Sequence, residues 1–222
     1  MQASEYRPNI PARGCEVLEV DGLRFRDLNG NGRLDPYEDW RNPPEARVAD
    51  LLERMTEDEK IGQMFTFVLD MGEPVRDLTE DHRAQLRVLL DELHIGELKN
   101  RTTFERPDDW AAHASWHNAV QEEASTRRLG IPVMFYTMPK WDNPPLALAA
   151  TRDTDLARRW AEELARRLRS IGIHEIPEPL LCVATEPRWR RTDQTFGEYA
   201  DLCSAMIVAV MKGLQGPVPS PA

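Results

Sequence analysis

The sequence predicts an α/β fold in which four strand–helix units follow an N-terminal hairpin. Short runs rich in β-branched and aromatic residues alternate with amphipathic helical stretches, which is the pattern of a layered α/β protein. Right-handed crossovers between successive strands would make the sheet parallel. The 222 residues, 41 % hydrophobic and 30 % charged, suffice for a substantial core. Such a chain could form a small open sheet or half of an eight-unit (β/α)8 barrel.

The first predicted element is the hairpin. Residues 15–26, CEVLEVDGLRFR, alternate apolar and polar side chains around an Asp-Gly pair. Asp-Gly is a preferred pair for tight hairpin turns, so two antiparallel strands are expected here.

Two helices are expected next. Residues 43–55, PPEARVADLLERM, place apolar side chains on one helical stripe and begin with proline, which suits a first helical turn. Thr56 and Glu59 then have the T-x-x-E spacing of a capping box, which predicts the start of a short second helix.

The rest of the chain alternates strands and helices. Asp153 would cap the third of the remaining helices, and Gly172 would end it. The strands are predicted within 61–69, 94–101, 131–137 and 173–184, and the helices over 79–93, 108–128, 154–171 and 198–214.

The loop after the hairpin, DLNGNGRLDPYE at 27–38, has the spacing of a calcium-binding loop. Such loops take oxygen ligands from positions 1, 3, 5, 7, 9 and 12 and need glycine at position 6, where Gly32 stands. Arg33 would contribute its backbone carbonyl. A hairpin precedes the loop and two prolines follow it, so a sensor that opens two helices is excluded. The alternative is a turn held by its own hydrogen bonds without metal. The six ligand positions are occupied by Asp27, Asn29, Asn31, Arg33, Asp35 and Glu38.

Composition excludes several classes of protein. A net charge of -10 argues against a nucleic-acid partner, because neutralising phosphates requires a basic surface. Cys15, Cys182 and Cys203 form no CxxC pair, so we expect reduced thiols rather than a zinc site. No glycine-rich nucleotide motif occurs, which predicts no organic cofactor. The N-terminus lacks an apolar leader-like run and no run could span a membrane, so a cytoplasmic location is expected.

Five stretches and a final GLQG follow the block order of one known family. They are DLNGNGRLDPYEDW, RVADLLERMTEDEKIGQMF, WHNAVQEEASTRRLGIPV, LALAATRDTDLARRWAEELARRLRSIGI and ATEPRWRRTDQTFGEYADL. Together they resemble the N-terminal domain of family 3 glycoside hydrolases, the β-glucosidase and exo-glycosidase group, from about residue 20 to 216. The resemblance implies an N-terminal extension with the calcium-type loop (1–42), half of a (β/α)8 glycosidase barrel (43–216) and a disordered tail (217–222).

The resemblance also implies retaining hydrolysis of β-linked sugars. That chemistry needs a carboxylate nucleophile and a second carboxylic acid that protonates the leaving oxygen. In the family both lie on parts of the barrel beyond the last block matched here. No catalytic residue can therefore be carried over to this chain.

Two sugar-binding positions of the family do fall within the chain. The second arginine of an RWxR block matches Arg191, whose planar fork of donors suits sugar hydroxyls; a structural ion pair is the alternative role. Met138 stands where the family has an aspartate, and Asp142 could substitute for it. Trp141 and Trp189 lie in loops after strands, where sugar-stacking aromatics are expected.

Other positions depart from the family or fit a structural role. Tyr199 stands where the family carries aspartate, and Arg190 where a small residue is usual. His113 and His117 are four residues apart on a predicted helix, a spacing that permits a shared metal but lacks a third ligand. Core packing is expected for the helical tryptophans Trp110, Trp116 and Trp160.

Three functions remain open at this level. The first is an N-terminal fragment of a glycosidase, inactive alone, which would act on a β-linked glucoside or oligosaccharide only if completed. The second is half of a split glycosidase, completed by another half-barrel chain or by homo-oligomerisation, since a half-barrel leaves two strand edges free. The third is a non-catalytic module that binds calcium or carbohydrate.

Overall fold

The protein is described by a computed structural model that covers residue 10 and residues 14–70, 77–100, 110–137, 145–177 and 179–216. The chain divides into two compact units. Unit 1 comprises Met1–Leu69, Arg76–Lys99 and Ser115–Met134, and unit 2 comprises Asp70–Val75, Asn100–Ala114 and Phe135–Ala222. The mixed α/β class is confirmed. The three-part domain division remains a prediction, and the 217–222 tail lies outside the described residues.

Five strands and seven α-helices occur among the described residues. The strands are β1 Glu16–Val20, β2 Leu23–Asp27, β3 Thr66–Leu69, β4 Glu97–Asn100 and β5 Met134–Thr137. The helices are α1 Pro44–Arg54, α2 Glu57–Gly62, α3 Glu80–Arg87, α4 Trp110–Ser125, α5 Pro145–Thr151, α6 Thr154–Ser170 and α7 Ala200–Gln215. A π-helical segment, Val88–Glu92, extends α3, and a 3-10 turn covers Thr192–Gln194.

The predicted hairpin is present. β1 pairs antiparallel with β2 from Glu16 opposite Asp27 to Val20 opposite Leu23. Asp21 and Gly22 at its turn have φ of 54° and 72°. Both angles are positive, as the tight turn that suits the strand twist requires.

The second sheet contains three parallel strands in the order β3-β4-β5. These are three of the four predicted strands, each shorter than its apolar run. The fourth predicted segment makes only an isolated parallel bridge, from Glu175 to Tyr136. Pro177 and Pro179 follow directly, and proline has no N–H to continue a ladder. In the described part of 173–184, one bridged pair is therefore found where a fourth strand was predicted.

Helix signals in the sequence were mostly accurate. Thr56 and Glu59 form the predicted capping box at α2, and Asp153 caps α6 by accepting from Leu156 N at 2.9 Å. The helix predicted over 79–93 is an α-helix that continues as a π segment, where Leu93 N donates to Val88 O at 3.1 Å. Helix α5 was not predicted.

Each unit has its own buried residues. In unit 1 the largest are Phe25 and Trp116, and the hydroxyl of Tyr37 donates to Leu129 O at 3.3 Å. In unit 2, α6 and α7 pack closely through small side chains. The unit 2 core consists of Leu148, Ala149, Ala157, Ala161, Phe196, Cys203, Met206, Ala209 and Val210.

Two further expectations concern membranes and thiols. Within the described part of the chain, no helix is both long and apolar enough to cross a bilayer. Cys15, Cys182 and Cys203 are free thiols, as predicted.

Candidate functional site

The 27–38 loop of unit 1 closes on the carboxylate of Asp27, the last residue of β2. This side chain is only 2 % exposed. Its Oδ1 accepts from Asn31 N at 3.0 Å and its Oδ2 from Gly32 N at 2.8 Å. The first residue of the loop thus holds the sharp turn at its fifth and sixth positions.

Glu38 closes the loop from its other end. Its Oε1 accepts from Leu28 N at 2.7 Å and Asn29 N at 3.3 Å, and its Oε2 accepts from Asp35 N at 3.0 Å. Burial raises the pKa of Glu38, and the backbone N–H donors only partly offset that rise. Three backbone N–H groups therefore stabilise this buried carboxylate.

Asp35 collects the polar side chains of the loop. Its Oδ2 accepts from Asn29 Nδ2 at 2.6 Å and from Asn31 Nδ2 at 2.7 Å, and its Oδ1 accepts from Arg54 Nη2 at 2.9 Å. Burial alone would raise the pKa of Asp35, but these donors outweigh it and lower the pKa below its ordinary value. Arg54 was not identified from the sequence. Its position four residues after Asp50 on a predicted helix was the one signal that it could pair with a carboxylate.

The loop therefore has the calcium-type residues in place, with their oxygens engaged in protein hydrogen bonds. Among the described residues no group of three Asp, Glu, His or Cys side chains converges as a metal site. Arg33 follows the pattern of a turn, since its N–H donates to Asn31 Oδ1 at 2.8 Å. Calcium binding stays a prediction.

Aromatic contacts fix this loop against the hairpin. The ring of Trp40 stacks on that of Phe25 with centroids 5.5 Å apart, and its Nε1 donates to Arg24 O at 3.0 Å. The Arg41 guanidinium lies 4.8 Å from the Phe25 ring centroid. The residues directly after the loop are thus packed on the hairpin that precedes it.

Two of the candidate sugar-binding residues, Trp189 and Arg191, lie on one closed loop of unit 2. Ala184 N donates to Gly197 O at 2.9 Å and Leu180 N to Gln194 O at 3.1 Å, which closes the loop at its base. Inside it, Thr192 N donates to Trp189 O at 3.0 Å. Trp189 and Arg191 therefore begin two consecutive hydrogen-bonded turns, from Trp189 O to Thr192 N and from Arg191 O to Gln194 N.

Their exposure leaves both side chains available at the surface. Trp189 is 36 % exposed, and Arg191 is half-buried. No ion pair of Arg191 is found within the described ranges, and both roles given for it stay predictions. Met138, Trp141 and Asp142 lie outside the described residues.

A cavity of about 440 Å³ adjoins this loop. Pro187 and Thr192 come from the loop, Leu146 from α5 and Leu202 from α7. Tyr199, which is 65 % exposed, also lines it. Sequence reasoning identified Tyr199 only as a departure from the family pattern.

A second cavity, of about 470 Å³, lies in unit 1 between the ends of α2 and α4. Arg128 lines it and pairs with Glu59 through Nε at 2.9 Å. Arg127 Nε lies 2.8 Å from Asp91 Oδ1. The two arginines of this cavity are thus each paired with a carboxylate that also lines it.

The histidines and helical tryptophans singled out in the sequence are buried or partly buried in the structure. His113 and His117 are both buried in α4, and the ring of His117 meets Trp116 edge-on at 5.8 Å. Trp116 is 2 % exposed, as expected for core packing. Trp160 packs, half-buried, against the unit 2 core.

Comparison with known proteins relates the chain to one family. The chain is 35 % identical to a periplasmic β-glucosidase/β-xylosidase of Dickeya chrysanthemi, over 93 % of this chain and 34 % of that protein. It is 33 % identical to a probable β-glucosidase C of Aspergillus oryzae, over 92 % of this chain and 35 % of that protein. The chain thus spans about a third of the length of the curated relatives it matches.

Solved structures give the same result. A β-glucosidase from Listeria innocua superposes with a TM-score of 0.62 at 27 % identity, covering 79 % of this chain and 24 % of that one. A β-glucosidase from Erythrobacter marinus superposes with a TM-score of 0.64 at 26 % identity, covering 85 % of this chain and 25 % of that one.

The family model described as the glycosyl hydrolase family 3 N terminal domain matches residues 56–218. The resemblance seen in the sequence is confirmed, and the chain belongs to the family of the glycosyl hydrolase family 3 N-terminal domain.

Proposed function

We propose that this chain is the N-terminal part of a retaining β-glycosidase and hydrolyses O-glycosyl bonds only when the remainder of that enzyme completes it. The observation that carries the proposal is the family match over residues 56–218 in a chain that spans 34 % of a β-glucosidase/β-xylosidase. The substrate would be a β-linked glucoside or oligosaccharide. The two carboxylates that the chemistry needs would come from the completing part.

The proposed architecture is half of a (β/α)8 barrel. Three parallel strands alternate with helices, and the bridge at Glu175 lies beside β5, where a fourth strand would run. In such barrels the loops after the strands form the active site. The loop with Trp189 and Arg191 follows that fourth segment, which supports its assignment to the substrate side.

Arg191 and Trp189 are the proposed sugar contacts. Arg191 would donate to hydroxyls and Trp189 would stack on a sugar ring, because one presents a fork of charged donors and the other an exposed aromatic face. The loop's backbone hydrogen bonds hold both in place before substrate arrives. Trp141 and Asp142 are proposed as further contacts on the family resemblance alone.

We also propose that the 27–38 loop binds Ca²⁺ as a structural ion. Support comes from its ligand spacing and from three carboxylates, Asp27, Asp35 and Glu38, within one loop. Binding would require Asn29 and Asn31 to turn their amide oxygens toward the ion and Asp35 to release their N–H groups. Isothermal titration of the chelator-treated chain with CaCl2 tests this; the absence of both heat and a thermal-melt shift would reject it.

The glycosidase proposal is tested with an aryl β-glucoside. The purified 222-residue chain alone should release no phenol, and the chain co-expressed with the completing part of the Dickeya relative should. Turnover by the chain alone would contradict the proposal, as would a well-formed but inactive complex. Sugar binding by the chain alone, without hydrolysis on completion, would favour a binding module.

Arg191→Ala provides the residue-level test, with the adjacent exposed Arg190→Ala as its matched control. In the completed enzyme, loss of one charged donor to a hydroxyl should lower kcat/KM by about tenfold or more. Arg190→Ala should leave kcat/KM nearly unchanged. Equal changes in kcat/KM for the two variants would show that Arg191 does not contact the sugar.

A further inference from the structure

A set of large apolar side chains in unit 1 is exposed along α1, α2 and β3. Their exposed fractions run from 41 % to 83 %. Single exposed apolar side chains are common, but a concentration of large ones on consecutive elements is typical of an interaction surface. We call them the α1–β3 apolar set: Val48, Leu52, Ile61, Met64, Phe65, Phe67 and Val68.

Helix α1 contributes to the set through an unburied apolar stripe. Val48 and Leu52 are four residues apart, so they lie on one face of the helix. They are 53 % and 45 % exposed, and no residue of α1 is buried. An amphipathic helix normally gains its stability by burying such a face against a neighbour. Another face of α1 meets the 27–38 loop through Arg54, but the face with Val48 and Leu52 stays exposed.

Strand β3 contributes an open edge. It stands at the end of the order β3-β4-β5, so only β4 pairs with it among the described residues. Phe67 and Val68 point to opposite faces of the strand, yet they are 41 % and 46 % exposed. A strand with a free edge and apolar residues on both faces is a template for pairing with a further strand.

We infer that the α1–β3 apolar set is the docking surface for the remaining part of a family 3 glycosidase. That part would add a parallel strand to the free edge of β3 and pack apolar residues against Val48 and Leu52. This inference rests on the proposed function. The relatives that the chain matches are about three times as long as the matched part, which leaves ample chain to supply this occupant.

A second copy of this chain fits the surface less well. Each copy carries a net charge of -10, so association of two copies brings like charges together. The free edge of β3 would also have to pair with a strand of matching direction in an identical copy. The completing half is a different stretch of chain, so neither the repulsion between identical copies nor the pairing of two identical edges applies to it.

The test compares two matched valines. Val48→Glu alters the apolar set at a position 53 % exposed on α1, and Val208→Glu alters α7 of unit 2 at a position 51 % exposed. The tagged 222-residue chain is co-expressed with the part of the Dickeya relative that follows the matched third, and the co-purified amount is measured. A third variant, Phe67→Glu, alters the strand. Circular dichroism and thermal melts of each variant alone should match wild type, since all three positions face solvent.

Wild type and Val208→Glu should retain the completing part, whereas Val48→Glu and Phe67→Glu should retain about tenfold less, as expected when a charge enters an apolar contact. Equal retention by Val48→Glu and Val208→Glu would overturn the inference. So would a wild-type chain that retains nothing, or one that sediments as a dimer broken by Phe67→Glu. A complex that depends on Val48 but hydrolyses no glycoside would uphold the docking surface and reject the proposed function.

Discussion

Arg54 Nη2 lies 2.9 Å from Asp35 Oδ1, so a side chain of α1 reaches the ninth position of the 27–38 loop. The same guanidinium pairs through Nε with Asp50 at 2.9 Å. Asp35 is also one of the carboxylates that a calcium ion would need. Arg54 and a Ca²⁺ ion bound as proposed would therefore compete for one side chain.

Arg54→Ala should separate these two roles of Asp35. Without metal the variant should lose about 0.5–1 kcal/mol of unfolding free energy, because the lost ion pairs are partly exposed to water. Its affinity for Ca²⁺ should instead rise several-fold. Urea unfolding in chelator measures the first effect and calorimetric titration the second. Arg87→Ala, an exposed helical arginine, serves as the control; unchanged calcium affinity in Arg54→Ala would refute the competition.

Asp27→Ala should destabilise the protein even when a chelator is present. The carboxylate is 2 % exposed and accepts from two backbone N–H groups. Removing it leaves both donors without their acceptor, at a cost of about 2 kcal/mol. Thermal melts in chelator measure the loss, with the exposed Asp77→Ala as the control. If Asp27→Ala in chelator melted at the same temperature as the wild type, the carboxylate would matter only when metal is bound.

Local patterns in the sequence predicted elements well because their causes are local. The Asp21-Gly22 turn and the Thr56–Glu59 capping box involve neighbours in the chain, and both are present. Strand length was harder to predict, because pairing depends on partners elsewhere in the chain. The 173–184 segment illustrates this, since Pro177 and Pro179 limit it to one bridge.

The candidate site was predictable only in part for the same reason. The family resemblance suggested Arg191, and calcium-loop spacing suggested the residues from Asp27 to Glu38, which are close in sequence. Arg54 joins Asp35 from 19 residues away and Arg128 joins Glu59 from 69 residues away. No pattern along the chain indicates which arginine meets which carboxylate once α1, α2 and α4 have packed.

The Glu59–Arg128 pair should make stability depend on pH. Burial would raise the pKa of Glu59, but hydrogen bonds from Arg128 and Thr56 outweigh it and hold the pKa below its ordinary 4.5. A carboxyl with a lowered folded-state pKa stabilises the fold above its unfolded-state pKa. That contribution is lost as the pH falls through 4.5 and then through the lower folded value.

Glu59→Gln should therefore remove part of the acid sensitivity. The variant should be less stable than wild type near neutral pH, and the difference should shrink between about pH 5 and about pH 3 as Glu59 becomes protonated in the wild type. Urea unfolding across this range measures it. Glu57→Gln, in the same helical turn, is the control and should parallel wild type. A constant difference at all pH values would contradict the assignment.

Gly213→Ala tests the close packing of α6 on α7. A Cβ at this position would lie 2.7 Å from Ala161 Cβ and closer still to the carbonyl oxygen of Arg158. Helix propensity alone predicts that alanine stabilises a helical position by about 1 kcal/mol relative to glycine. The contact with α6 predicts the opposite, a net loss of about 1–3 kcal/mol, because a backbone carbonyl cannot move without shifting its helix.

Ala205→Gly on the exposed side of α7 gives the matched control. It should destabilise the protein by about 1 kcal/mol, as propensity requires. Both substitutions should then lower stability although they exchange the same two residue types in opposite directions. Only steric contact at Gly213 explains why both substitutions would lower the unfolding free energy. Chemical unfolding of the two variants measures that free energy. A stabilised Gly213→Ala would show that α6 and α7 lie farther apart than described.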